Sequence, residues 1–118
     1  MISIVQHAPR FGEQDAVRIA RDLFGFDAAA GKLPSERDQN FHLTCHTGEQ
    51  YVLKVANATE RIEVLEFQNQ VMMHIACNKD RLGQGIVAAP EICTSINGEL
   101  IMTVDGLDGA APLVRLLT

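Results

Sequence analysis

Apolar and polar positions alternate along this chain with two periods, and the switches between them mark its elements. From Glu13 to Phe24, Ala16, Val17, Ile19, Ala20, Leu23 and Phe24 fall at helical spacing, with Arg18, Arg21 and Asp22 away from them. Gly25 supplies a stop signal. Lys32 to Pro34 reads as a short strand, and 35–39 as a polar loop. Asn40 to Cys45 sets Phe41, Leu43 and Cys45 against His42 and Thr44, as a half-buried strand does. Thr47-Gly48 is a turn, and Gln50 to Ala56 is the returning strand of a hairpin. Arg61 to Cys77 carries Ile62, Leu65, Val71, Met72 and Ile75 at helical spacing, after the capping oxygens of Asn57 and Thr59. Asn97-Gly98 predicts a second hairpin, between Glu91–Ile96 and Glu99–Val104. Leu113 to Leu117 is a last strand. The mostly hairpin-length connections predict an α+β fold, an antiparallel sheet of about five strands backed by two helices. No linker divides the chain, so residues 1–118 are expected to form a single domain.

Composition narrows the function classes. Hydrophobic residues make up 47% of the 118 and charged residues 21%, ordinary usage for a globular domain. The net charge of -5, with no basic run, argues against nucleic acid as a partner. No stretch approaches the roughly 20 apolar residues of a membrane span. The N-terminus has no signal-peptide pattern. Cys45, Cys77 and Cys93 form neither a CxxC nor a zinc-type spacing, and three reduced thiols fit a cytoplasmic protein.

The strand EQYVLKVAN raises the chemical question. Tyr51, Leu53 and Val55 alternate with Val52, Lys54 and Ala56, which puts a lysine among apolar neighbours. An ammonium there needs a partner, or must snorkel to the sheet edge. A strand lysine followed by a helix rich in acids and amides suits a nucleotide: the strand holds the charge at fixed height, and a helix side chain orients it.

The strings LPSERDQNFHL, YVLKVAN, LEFQNQVMMHIA and PLVRLLT, in that order, resemble the hydroxylysine kinase-like branch of the aminoglycoside phosphotransferase-like family. The resemblance covers about Phe11 to Thr118 and implies a kinase-like amino-terminal lobe. In that lobe Lys54 would contact the α- and β-phosphates of ATP. Residues 35–39, including Ser35, Asp38 and Gln39, would form the loop over the phosphates, although it lacks the glycines of protein-kinase loops. Leu116, Leu117 and Thr118 would enter the hinge beside the adenine, whose faces Val52 and Leu33 would cover. The family's lysine-pairing glutamate falls on Gln68. Glu66 is charged but lies two residues earlier, on another side of the helix. Either Gln68 or a shifted Glu66 is the expected partner, with Gln68 favoured.

The base and the Mg²⁺ ligands of such an enzyme are implied in a carboxy-terminal lobe, in an H-x-D motif with later Asn and Asp. None of His7, His42, His46 and His74 has an acid two residues on, and Asp105 and Asp108 sit in a glycine turn. These residues are therefore expected to be the nucleotide-binding lobe of an ATP- or GTP-dependent kinase acting on a small-molecule hydroxyl, inactive without its second lobe and with no metal site of its own. Apolar surface left without that lobe would favour a homodimer. The competing expectation is a free-standing α+β binding or interaction module without catalysis.

Overall fold

The computed structural model describes residues 11–34, 38–57, 60–77, 91–104 and 112–118. The first helix, α1, spans Glu13–Ile19 and widens into a π-helical turn, Ala20–Phe24. Its start is fixed by Asp15, whose carboxylate accepts the Gly12 N–H at 2.8 Å while the Gly12 carbonyl accepts the N–H of Asp15. Its end is Gly25, at φ 77°, a left-handed conformation that suits glycine.

Three strands follow: β1 Ala29–Leu33, β2 Gln39–Thr44 and β3 Gln50–Val55. The second helix, α2, spans Ile62–Cys77, and β4 Ile92–Cys93, β5 Met102–Thr103 and β6 Leu113–Leu117 complete the order. All pairings are antiparallel, in the order β1-β2-β3-β6-β4, with β5 also on β6. The class is the α+β expected, with six strands among the described residues where the pattern predicted about five. β1 begins three residues before the expected Lys32, because its Ala-Ala-Gly start has little strand propensity and is held by pairing with β2.

The Thr47-Gly48 turn is present: the Gly48 N–H donates to the Cys45 carbonyl at 2.9 Å. The Asn97-Gly98 turn also forms, closed by a 2.8 Å bond from the Ser95 N–H to the Glu99 carbonyl. Its arms do not pair with each other as a hairpin. Ile92 and Cys93 lie opposite Leu117 and Leu116, and Met102 and Thr103 lie opposite Val114 and Leu113. Both arms thus run the same way along one edge of β6, as a single edge strand interrupted by residues 94–101. The interruption is anchored elsewhere, the Ile96 N–H donating to the Leu23 carbonyl at 2.8 Å.

Strand alternation divides the side chains between two faces. Phe41, Leu43, Leu53, Val55, Val114 and Leu116 pack on one face against Ala16 and Ile19 of α1 and Ala20 of the π-helical turn, with Phe11 and Met102 closing the core. Asn40, Lys54 and Arg115 stand side by side on the other, under α2.

Candidate functional site: a cationic row beneath the second helix

In this row Asn40 is opposite Lys54, and Lys54 is opposite Arg115. Residues paired in this way have Cβ atoms about 4.5–5.5 Å apart, and two cations there repel. A cavity of about 380 Å³ opens above them, lined by Lys54, Arg115 and Leu117 of the sheet and by Phe67, Gln68, Val71 and Met72 of α2. Lys54 is half-buried and faces the helix.

The two cations are treated differently. Arg115 is 4% exposed, and its guanidinium donates from Nη1 to Asn69 Oδ1 and from Nη2 to Gln68 Oε1, each at 3.0 Å. Burial pushes Arg115 down from its ordinary pKa, a shift opposed by the fields of Asp38 and Glu60. Lys54 makes no hydrogen bond or ion pair to any described residue. The expected Lys54–Gln68 pairing is absent here, and the Gln68 carbonyl accepts from Arg115 instead. Glu66 points elsewhere, into a second cavity with Asn69, Gln70 and Glu99.

The other expected positions separate. Gln39 shares the parity of Phe41, so it lies on the face opposite Lys54, contrary to its expected place over the phosphates. Its Oε1 accepts the Phe11 N–H at 2.6 Å and its Nε2 donates to the Phe11 carbonyl at 2.8 Å. The residue of that motif beside Lys54 is Asn40. Its buried Oδ1 has no hydrogen-bond partner among the described residues. The Asp38 carboxylate accepts the Asn57 N–H at 3.0 Å. Leu116 turns into the core, 2% exposed, whereas Leu117 lines the cavity. Thr118 is tied to Glu91, its N–H donating to the Glu91 carbonyl at 2.9 Å and its Oγ1 accepting the Glu91 N–H at 3.1 Å. Val52 is half-buried and Leu33 exposed. Ser35, His7, Thr59, Asp105 and Asp108 lie outside the described residues. Among the described residues no three His, Cys, Asp or Glu side chains gather as a metal site would require, and no helix is long and apolar enough to cross a membrane.

Sequence reasoning missed Asn40, Asn69 and Arg115 as parts of this site. For Asn40 the signal was available in strand parity. The Arg115 contacts span 46 and 47 residues, and no local pattern reports them.

No protein-family model matches the chain. Hydroxylysine kinase of Danio rerio is 29% identical over 123 residues, covering 99% of this chain and 33% of that protein. Among solved structures, amicoumacin kinase hAmiN in complex with AMP-PNP, Ca²⁺ and Ami superimposes with a TM-score of 0.62 at 18% identity, over 91% of this chain and 30% of that one. The chain thus spans about a third of the length of each. It is a homologue of hydroxylysine kinase with the aminoglycoside phosphotransferase-like fold, in the form of a kinase-like amino-terminal lobe.

Proposed function

We propose that this chain is the nucleotide-binding lobe of an ATP- or GTP-dependent kinase that phosphorylates the hydroxyl of a small molecule, such as an amino alcohol, a hydroxylated amino acid or an aminoglycoside-like compound. The observation that carries this reading is the cationic row: Lys54 and Arg115 face each other beneath α2, and neither forms an ion pair with a described residue. In a protein of net charge -5, an open cleft that presents Lys54 beside Arg115, with no ion pair to Lys54 among the described residues, suits an anion.

A nucleotide's α- and β-phosphates supply that anion. The Lys54 ammonium, held by β3, meets their oxygens and offsets the charge that moves onto the leaving group during transfer. Asn40 stands beside it with an acceptor oxygen free to orient the ammonium. Leu117, Val71 and Phe67 supply apolar walls. The hydroxyl acceptor and the magnesium ion that accompanies ATP would be held by a second lobe, so the lobe alone is expected not to turn over.

Three further features fit the proposal. α2 leaves Ile62, Val64, Phe67, Val71 and Met73 exposed, apolar surface on which a second lobe, or another copy of this chain, would pack. All three cysteines are free thiols, in keeping with a cytoplasmic location. The described strands share one sheet, in keeping with a single domain over residues 1–118.

Titration of the chain with the non-hydrolysable AMP-PNP, followed by nuclear magnetic resonance, tests the reading. We expect weak binding, with shifts concentrated at Lys54, Gln68 and Leu117 and abolished by Lys54→Met. Binding that survives Lys54→Met undiminished would reject the role given to the lysine.

A further inference from the structure

Of the 16 residues of α2, only Leu65 and Asn69 are buried. A helix so exposed is held to its sheet by few side chains, and one of its two buried residues is polar. Asn69 is 3% exposed, and its carbonyl oxygen receives Arg115. The same guanidinium takes Gln68, the next residue, whose carbonyl faces the Lys54 cavity. Adjacent helix positions point about 100° apart. A planar fork with separate Nη donors reaches both, whereas a lysine ammonium offers one nitrogen without that fixed fork.

We infer that Arg115 is a positioning residue: it clamps α2 to β6 through two neutral amides and turns the Gln68 carbonyl toward itself, so that the helix is seated over a Lys54 ammonium left for an anionic ligand. Two amides seat the helix without neutralising the site. Seating of α2 stands on the hydrogen bonds alone; the benefit to Lys54 rests on the phosphate reading above.

Two variants test the clamp. Arg115→Lys keeps the charge and removes the fork, and Asn69→Ala removes one acceptor and leaves the cation. Each is expected to speed amide hydrogen exchange across residues 62–77 by about tenfold or more, the change that follows loss of one charge-assisted hydrogen bond. Exchange in β2 and β3 should change much less. Each variant should also weaken the protection of Lys54 from acylation by MgATP, raising the nucleotide concentration needed for half-protection by several-fold.

Unchanged exchange in α2 in the variant that folds would overturn the clamp. Faster exchange with unaltered protection of Lys54 would overturn the benefit to the lysine and leave Arg115 a purely structural anchor. If MgATP gives no protection even in the unaltered chain, the phosphate reading fails and the benefit to Lys54 fails with it, while hydrogen exchange still decides the clamp. Should Arg115→Lys fail to fold, Asn69→Ala carries the same comparison, since it introduces no unpaired buried charge.

Discussion

Lys54 and Arg115 are direct cross-strand neighbours, yet only Arg115 is bonded to α2, through Gln68 and Asn69. Two like charges so placed repel unless something shares them out. Arg115 disposes of its charge into amide oxygens, and Lys54 keeps its own. Removing the charge of Lys54 should therefore relieve the sheet. Lys54→Met is expected to leave the urea midpoint unchanged or raised, while nucleotide binding falls by at least about tenfold, the usual scale for losing a charge-assisted contact to phosphate. A large loss of stability would mean that the ammonium has a partner in the folded chain.

The core on the α1 face sets the stability of the lobe. Phe41 is fully buried between α1 and the sheet. Phe41→Ala should cost about 3–5 kcal/mol through lost burial and the cavity left behind. Chemical denaturation measures this directly.

Gln39 distinguishes the sheet's two faces by experiment. Its two bonds to the Phe11 backbone pin the residues before α1 to β2. Gln39→Ala should lower stability by about 1–3 kcal/mol, because it strands a backbone N–H and a carbonyl. Nucleotide affinity should be retained. Affinity lost with stability unchanged would return Gln39 to the phosphate loop.

The chain's single tyrosine, with no tryptophan present, gives a clean pH probe. The Tyr51 hydroxyl donates to Glu49 Oε2 at 2.7 Å, and this bond, aided by burial and the Glu49 charge, pushes the phenol from 10.0 up to about 12. The proton is thus held more tightly in the folded chain than in the unfolded one. The resulting stabilisation is fully present below about pH 10 and is lost as the pH rises toward about 12. Ultraviolet titration of phenolate should show Glu49→Gln ionising at lower pH than the unaltered chain. Identical titrations would remove Glu49 as the cause.

Much of this molecule is legible in its sequence, and the boundary is physical. Periodicity placed α2 and β3 nearly to the residue, because the apolar faces of Leu65 and of Leu53 and Val55 are local signals. The chain order and the lysine's place under the helix followed from those elements. The Asn97-Gly98 turn was legible as a turn, but not the fate of its arms, since pairing with β6 draws on residues 113–117. Gln39 was assigned by motif, when parity with Phe41 puts it on the other face. The partner of Gln68 is Arg115 from the last strand, a contact decided by packing over 47 residues. A charged lysine and a motif glutamine suggested each other; the fold joined the glutamine to a different cation.

Lysine acylation read by mass spectrometry tests the central claim most directly. The chain has three lysines, Lys32, Lys54 and Lys79, so two act as internal controls. With MgATP added at millimolar concentration, labelling of Lys54 should fall while that of Lys32 and Lys79 stays constant, and adenosine should protect none of them. Equal labelling of Lys54 with and without the nucleotide, up to the highest concentration used, would contradict the account.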